Sequence, residues 1–451
     1  MHQYGVTAVY QNNLMDKPDY SDTSRRRFLQ AVGCGSLATA LPVPARAAIR
    51  TAAQIVIVGG GAAGISMAAR LSAQLQGARI TLIDGAQQHI YQPGLTLVAA
   101  GTWDPAQVIE SEADWMPRGI EWLQEHAAEI DPVAKAVVTT GGKRVSYDFL
   151  VVATGLELAF DQIAGFDPKM IGRDGLGCVY AGPQAAQGTY RMIMALAEKG
   201  GDAVMTLPHT PLKCAGAPLK LTFITDDLLR RHGGRGRAKV NFLSPLSTVF
   251  GVPVVNTRVL ELWRQRDIGV AYGHRLKAVD QGKRIATFAS NDGDFEQPYE
   301  FLHVVPPMRA PAVVRNSPLP FKSGPMADGG WLEVDKGTLR HARFPEIFGC
   351  GDINGTPRGK TAATVKKSGI VAAANLVSVI AGREPVLKFD GYTSCPMVTS
   401  IGRAMLIEFD YEGRLTPTLP GVEPLTESWF AWFLEERMLK PAYLAMLKGW
   451  T

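Results

Sequence analysis

Beyond its N-terminal region the chain has no apolar run reaching the ~18 residues that a membrane-crossing helix needs. It also has no CxxC pair or His-rich cluster of the kind that holds a metal, and no Ser-His-Asp arrangement stands out. Charge is sparse: 20% of residues are Asp, Glu, Lys or Arg, and the formal net charge is +5. The basic residues are scattered, without the aromatic-interleaved basic patch of a nucleic-acid binder, so nucleic acid is excluded as a partner. What is left is an ordinary globular composition, 46% hydrophobic over 451 residues, long enough for two or three domains and a large core.

Against that background one glycine-rich stretch is distinctive. Gln54-Ile55-Val56-Ile57-Val58 reads as a buried parallel strand, ends in Gly59-x-Gly61-x-x-Gly64, and passes at once into an Ala-rich helical pattern through Met67 and Ala68. This is a dinucleotide-binding strand-turn-helix. Gly59 permits the tight turn, Gly61 lets backbone approach a pyrophosphate, and Gly64 lets helix and strand pack closely, so the helix N-terminus faces the phosphates. A second strand, Ile80–Ile83, ends at Asp84, about 20 residues after the last glycine, where a carboxylate holds a ribose hydroxyl.

The N-terminus carries an address. Ser24-Arg25-Arg26-Arg27-Phe28-Leu29-Gln30 precedes a small-residue apolar stretch, Ala31 to Leu41, and Ala45-Arg46-Ala47 reads as a cleavage site. The pattern resembles a twin-arginine export signal, used for proteins that fold around a cofactor before export. A basic N-terminal helix of a cytoplasmic protein is the alternative. Removing residues 1–47 would leave a net charge of +3.

Further along, His89-Ile90-Tyr91-Gln92-Pro93 opens a loop that is either a wall of the nucleotide site or a plain connection, and Glu121 to Ile130 moves into alternating strands. The buried strand Phe149 to Val152 ends in Ala153-Thr154-Gly155, a recurrent landmark of flavoproteins with two dinucleotide-binding domains. Where nicotinamide-dependent members of that class carry a second glycine turn, the strand Ala203 to Leu207 runs instead into Pro208-His209-Thr210-Pro211-Leu212-Lys213-Cys214-Ala215-Gly216-Ala217-Pro218. Prolines and a cysteine occupy the place of the pyrophosphate-cradling glycines, so the electrons are expected from another donor. Phe344 to Gly351 then leads to Asp352, the usual place for a carboxylate on the flavin's ribityl chain. Lys360-Thr361-Ala362-Ala363 opens a helix whose amides and dipole would face the flavin's pyrimidine edge; Lys360 either adds to that stabilisation or faces solvent.

The last sixty residues differ in character. Trp429-Phe430-Ala431-Trp432-Phe433-Leu434, Met438, Tyr443, Leu444, Met446, Leu447 and Trp450 alternate with basic residues. They fit an interfacial helix pair on a bilayer, or else a helix docked on the protein's own core or on a partner in a homo-oligomer. Of the five cysteines, Cys34 lies in the signal, Cys350 reads as a buried inert filler, and Cys178 is unassigned. Cys214 follows a lysine near a helix start, a setting that lowers a thiol pKa. A structural disulfide between Cys214 and Cys395 is an alternative for an exported protein.

The glycine turn, His89 to Pro93, Lys213 to Pro218, His303-Val304-Val305-Pro306-Pro307-Met308, Phe348 to Asp352, Lys360 to Ala363 and Tyr392-Thr393-Ser394-Cys395-Pro396 together closely resemble sulfide:quinone oxidoreductases of the branch shared by bacteria and mitochondria. The resemblance runs from Gln54 to Trp450. It implies an α/β, tandem Rossmann-like flavoprotein with a C-terminal membrane-interface helical segment. The implied organisation is a signal (1–47), a first FAD-binding part (48–157), a second Rossmann-like domain without the NAD glycines (158–300), a second FAD-binding part (301–385) and a C-terminal cysteine and quinone-proximal region (386–451). FAD is the implied cofactor, bound by Gly59, Gly61, Ala63, Gly64, Asp84, Gln92, Ala127, Thr154, Gly155, Asp352, Lys360, Thr361, Ala362 and Ala363.

Cys214 and Cys395 are the implied redox pair. Hydrosulfide attacks their disulfide or a sulfur-bridged form of it, leaving a persulfide and a thiolate. By resemblance Cys214 carries the persulfide and Cys395 faces the flavin, an acceptor nucleophile removes the outer sulfur, and the flavin's electrons pass to a quinone entering from the membrane side; the export signal is what points to the periplasmic face of the bacterial inner membrane. His303 and Lys360 are candidates for proton or charge handling, with a packed core histidine the alternative for the former. Two rival activities share these motifs: the flavoprotein subunit of a flavocytochrome c sulfide dehydrogenase, and an NAD(P)H-dependent flavin reductase.

Overall fold

Strand β1 (Gln54–Val58) is the centre of the first sheet. Its β-branched residues alternate between two faces: Ile55 and Ile57 enter one apolar cluster with Ile65, Met67 and Leu71, while Val56 and Val58 enter another with Tyr147 and Trp331. A strand covered on both faces is why the sequence reads as an unbroken apolar run, and each such buried aliphatic side chain contributes about 1.5–3 kcal/mol. The computed structural model describes residues 48–450; the expected export signal, residues 1–47, lies outside the described residues.

After β1 the chain enters helix α1 (Ala62–Gln74) and returns as β2 (Arg79–Ile83), parallel to β1. Strand β3 (Glu121–Leu123) extends the sheet beyond β2, and β4 (Phe149–Val152) pairs with β1 on its other side. Between β3 and β4 lies a three-stranded antiparallel sheet formed by Ala127–Asp131, Ala136–Thr139 and Arg144–Ser146.

A second parallel sheet follows. Helix α2 (Pro183–Lys199) leads into β5 (Gly201–Thr206), α3 (Ala217–Arg231), β6 (Ala238–Ser244), α4 (Pro253–Gln265) and β7 (Ile268–Tyr272). Strand β8 (Phe301–His303) inserts between β5 and the edge strand Leu176–Gly177. The strand-helix-strand order expected after residue 200 is therefore present, with the proline and cysteine loop joining β5 to α3.

The chain then goes back to the first sheet, where β9 (Ile347–Gly349) pairs with β4. Helix α5 (Ala362–Ile380) has the length and hydropathy of a membrane span, but half of it is buried, and it packs on α1. Strands β10 (Thr393–Ser400) and β11 (Arg403–Phe409) form an antiparallel hairpin laid against α3.

Helix α6 (Trp429–Phe433), a π-helical turn (Leu434–Met438) and α7 (Leu439–Leu447) complete the described chain. One face of this segment docks on the protein's own core, as the second of the two readings expects, and the other face is exposed. Ala431, Trp432, Tyr443, Met446 and Leu447 are buried, with α7 against α1. Met438 (47%) and Trp450 (74%) stay exposed, and Trp429 stacks on Phe433 with ring centroids 5.4 Å apart.

Candidate functional site

The glycine turn has the sterics its spacing predicts. Gly59 has φ +104°, and a Cβ there would lie 2.5 Å from the Ala153 carbonyl oxygen; a Cβ on Gly64 would lie 1.7 Å from the Gly59 oxygen. Gly61 differs, since a Cβ there would meet nothing within 4 Å. Open space in front of the α1 N-terminus, whose first amides have no helical partner, is what a pyrophosphate requires. Asp84 stands beside this turn. Its carboxylate accepts the Gly60 amide, and the Ala86 amide at 2.7 Å, so it shapes the loop as well as presenting charge. Ala127 begins the strand after His126, whose imidazole packs on Gly85 next to Asp84.

The other expected cofactor residues converge on the same cradle. Thr154 follows β4 beside Gly59, its buried hydroxyl has no partner, and Gly155 (φ +67°) faces open space. Gly351 abuts Ala63 and leads to Asp352. Burial pushes the Asp352 carboxyl up, opposed by the Lys360 and Lys213 ammonium groups. Lys360 is buried rather than solvent-facing: its ammonium donates to the backbone carbonyls of Asp352 and Asn354 and sits 3.7 Å from the Trp331 ring centroid. Burial lowers its pKa to about 8, although Asp352 favours the charge. Thr361 caps the 19-residue α5 by accepting the Thr364 amide at 3.1 Å, so Ala362 and Ala363 lie in the helix's first turn. Gln92 accepts from the Lys213 ammonium at 2.6 Å, tying the loop after Asp84 to the cysteine loop.

Cys214 and Cys395 meet. Cys214 lies in the loop between β5 and α3 with φ +47°, a left-handed conformation that costs a non-glycine residue about 1–2 kcal/mol. It is held there by its amide, which donates to the Lys360 carbonyl at 2.8 Å, and by its carbonyl, which accepts the Ala217 amide at 2.8 Å and the Tyr180 hydroxyl at 3.1 Å. Cys395, 4% exposed on β10, reaches it over Gly216, where any Cβ would lie 2.2 Å from the Cys395 sulfur. Both are free thiols, hydrogen-bonded to each other.

The environment splits their acidities. The Cys395 hydrogen bond and the Lys220 ammonium pull the Cys214 thiol down to about 6 against the effect of burial. Cys395 is pushed well up by that same hydrogen bond and by burial. Lys220, on α3, is 3.5 Å from Glu435 in the π-helical turn, both side chains 3% exposed. Burial disfavours the Lys220 charge, but Cys214, Glu435 and Cys395 outweigh it and hold the group protonated.

Sequence reasoning missed this buried ion pair, and also a buried chain in which His89 Nδ1 lies 3.1 Å from Glu112 and Nε2 2.6 Å from the Tyr443 hydroxyl. The only local signal was Lys220, flanked by Leu219 and Leu221 early in α3; Glu435, beside Glu436 and Arg437, carries none. His303 is a packed histidine: it is fully buried, Nε2 accepts the Val179 amide at 3.3 Å, and burial lowers its pKa to about 3. Cys178 and Cys350 are buried thiols whose pKa values burial raises to about 11 and about 12.

The family model described as "Pyridine nucleotide-disulphide oxidoreductase" matches residues 53–175, the cradle and its continuation. The whole chain matches more specifically: it is 36% identical over 371 residues to the mitochondrial sulfide:quinone oxidoreductase of Mus musculus, covering 81% of this chain and 80% of the relative. The chain belongs to the sulfide:quinone oxidoreductase family. A second sulfide:quinone oxidoreductase, from Dictyostelium discoideum, is 34% identical over 403 residues, 89% of this chain and 87% of its own. The solved sulfide:quinone oxidoreductase of Aquifex aeolicus shares the fold, with a TM-score of 0.72 at 21% identity over 88% of this chain and 92% of that one. FAD is the cofactor of this oxidoreductase family, and the residues here fit it. Beside Gly59 the Thr154 hydroxyl has no partner among the described residues, and Gly61 and Gly155 face open space.

Proposed function

We propose that this chain oxidises hydrosulfide to sulfane sulfur at the Cys214–Cys395 pair and passes the two electrons, through FAD, to a membrane quinone. The observation that carries the reading is the meeting of two thiols over Gly216, at the end of the FAD cradle and in the loop that replaces a nicotinamide-binding glycine turn. Bound FAD would accept two electrons from the reduced sulfur pair and deliver them to the quinone. Gly59, Gly61, Ala63 and Gly64 would hold its pyrophosphate, Asp84 and Ala127 its nucleoside end, and Gln92, Thr154, Gly155 and Asp352 its central chain. Lys360, Thr361, Ala362 and Ala363 would border the ring where negative charge gathers on reduction.

In the oxidised pair hydrosulfide attacks one sulfur and expels the other as a thiolate. Cys214 takes the persulfide and Cys395 faces the flavin, the roles that the family resemblance implies, and the Lys220 ammonium favours the thiolate form of both. Lys220, held charged by Cys214 and by Glu435, is the counter-ion; His303 is a packed core histidine.

Two further parts of the reading concern location. The exposed side of α6 to α7, with Met438, Trp450 and Lys448 over the Trp450 ring, would rest on the bilayer and admit the quinone. The Arg25-Arg26-Arg27 segment would direct folded, FAD-loaded protein through twin-arginine export to the periplasmic face. The deciding experiment is anaerobic addition of sulfide to the flavin-loaded protein. The flavin should bleach within the turnover time and recover its colour on adding a soluble quinone. Bleaching by NADH at catalytic rates, with none by sulfide, would overturn the reading.

A further inference from the structure

Glu112 is 1% exposed, yet only one of its oxygens is committed. Oε2 lies 3.1 Å from His89 Nδ1, and among the described residues this is the one hydrogen bond of the side chain. Oε1 is turned to the glycine turn: a Cβ on Gly60 would lie 2.7 Å from it and 2.9 Å from the Asp84 Cβ. Two carboxylates thus flank Gly60, and they are not equally free. Both Asp84 oxygens accept backbone amides, of Gly60 and of Ala86 at 2.7 Å, so Asp84 meets a ligand only with the lone pairs that remain. Glu112 offers a whole oxygen. A buried carboxylate oxygen without a donor is costly, and so is a second carboxylate beside it. Two neighbouring hydroxyls placed between the acids would relieve both costs.

Glu112 does not hold this orientation alone. His89 sits on the short strand Gln88–Ile90, paired antiparallel with Ile109–Ser111, the segment that leads directly into Glu112. Its Nε2 is 2.6 Å from the Tyr443 hydroxyl of α7. With that hydroxyl donating to Nε2, the ring carries its proton on Nδ1 and donates it to Glu112, so every polar atom of the chain has one role. Tyr443 is itself fixed, packed edge-on to Tyr91 with ring centroids 5.0 Å apart. Lys440, one turn earlier on α7, donates to the Gln107 carbonyl at 2.7 Å and lies 2.6 Å from Glu110. The C-terminal helix therefore grips the segment that carries Glu112 both through Lys440 and through Tyr443.

We propose that Glu112 is a cofactor-binding residue: its Oε1 accepts one hydroxyl of the adenosine ribose of FAD, Asp84 accepts the neighbouring one, and the Tyr443–His89 chain from the C-terminal helix aims it. The inference rests on the placement of the nucleoside end of FAD beside Asp84 given above. It assigns the C-terminal segment two tasks at opposite ends of one cofactor site. The π-helical turn brings Glu435 to Lys220 beside the cysteines, and α7 brings Tyr443 to the histidine that orients the ribose acid.

The test is flavin exchange in the full-length, flavin-loaded protein. Holoenzyme is equilibrated with an equal excess of FAD and of its 2′-deoxyadenosine or 3′-deoxyadenosine analogue, and the bound flavins are separated and quantified by chromatography. Wild type should prefer FAD to both analogues. Glu112→Gln should lose about tenfold of the preference over one analogue, the size of a hydrogen bond to a charged acceptor, and keep its preference over the other, which Asp84→Asn should lose. Tyr443→Phe should lower the same ratio as Glu112→Gln, by a smaller factor, and leave the other in place. A merely structural role would weaken FAD and both analogues together and move neither ratio. Unchanged ratios in Glu112→Gln, or equal weakening of all three flavins, would overturn the proposal, and if that variant retains no flavin, unchanged ratios in Tyr443→Phe overturn it instead. A shift in Glu112→Gln without one in Tyr443→Phe would overturn the aiming role of α7. The two levels separate cleanly: a preference governed by Asp84 alone overturns only the Glu112 assignment, whereas wild type without preference over either analogue overturns the placement of the nucleoside end beneath it.

Discussion

If Lys220 sets the acidity of Cys214, removing its charge must raise that thiol, and the double variant Lys220→Met/Glu435→Gln is the clean perturbation. Taking away one partner alone would strand a buried charge at about 3–5 kcal/mol, whereas neutralising both keeps the volume and removes the field. Losing a nearby opposite charge raises a thiol's pKa by about one to two units, or about 1–3 kcal/mol. Cys214, brought to about 6 in the native protein, should therefore titrate near 7–8. The assay is the pH dependence of iodoacetamide labelling of the anaerobically reduced protein, with the Cys214 peptide quantified by mass spectrometry. Labelling should be half-maximal near pH 6 in wild type and shifted upward in the variant. Cys395→Ala should move it further, because the hydrogen bond from Cys395 is the larger cause. Overlapping profiles for wild type and the double variant would refute the reasoning, and would return the low pKa to the hydrogen bond alone.

Gly216→Ala places a methyl group 2.2 Å from the Cys395 sulfur, so the two cysteines should separate; after mild oxidation, thiol titration should find both still free and sulfide should bleach the flavin at least a hundredfold more slowly. Tyr443→Phe removes the 2.6 Å bond to His89 and should cost about 1–2 kcal/mol in denaturant unfolding, the range for stranding a buried polar group. Lys360 loses its proton more readily folded, at about 8, than unfolded. Between these values the unfolded chain binds more protons, so stability rises with pH there. Flavin-free wild type should gain stability from pH 8 to 9.5 relative to Lys360→Met. Replacing exposed Met438 and Trp450 by serine should weaken flotation with liposomes severalfold while leaving sulfide-driven bleaching intact; unchanged flotation would argue against a membrane role for that face.

The parts of the site legible in the sequence are those whose physics is local. Gly59, Gly61 and Gly64 answer to the sterics of a single turn, the unbroken apolar strand to burial on both faces, and Thr361 to the demands of one helix end. Cys214 and Cys395 entered as a pair through family resemblance. Their contact depends on Gly216 and on a hairpin laid across α3, which no spacing encodes. Lys220 and Glu435 lie on charged helical segments, and only the folded chain brings them together. The same holds for His89 and Tyr443, 354 residues apart. The C-terminal segment offered two readings because an amphipathic pattern does not say whether an apolar face meets the protein's own core or something outside it.

The seating of Glu435 beneath the cysteine helix has a developmental consequence. Cys395 and the Glu435 carboxylate that pairs with Lys220 both lie in the final sixty residues, so the hydrogen bond that most lowers the Cys214 pKa and the partner of its neighbouring ammonium arrive last in the order of the chain.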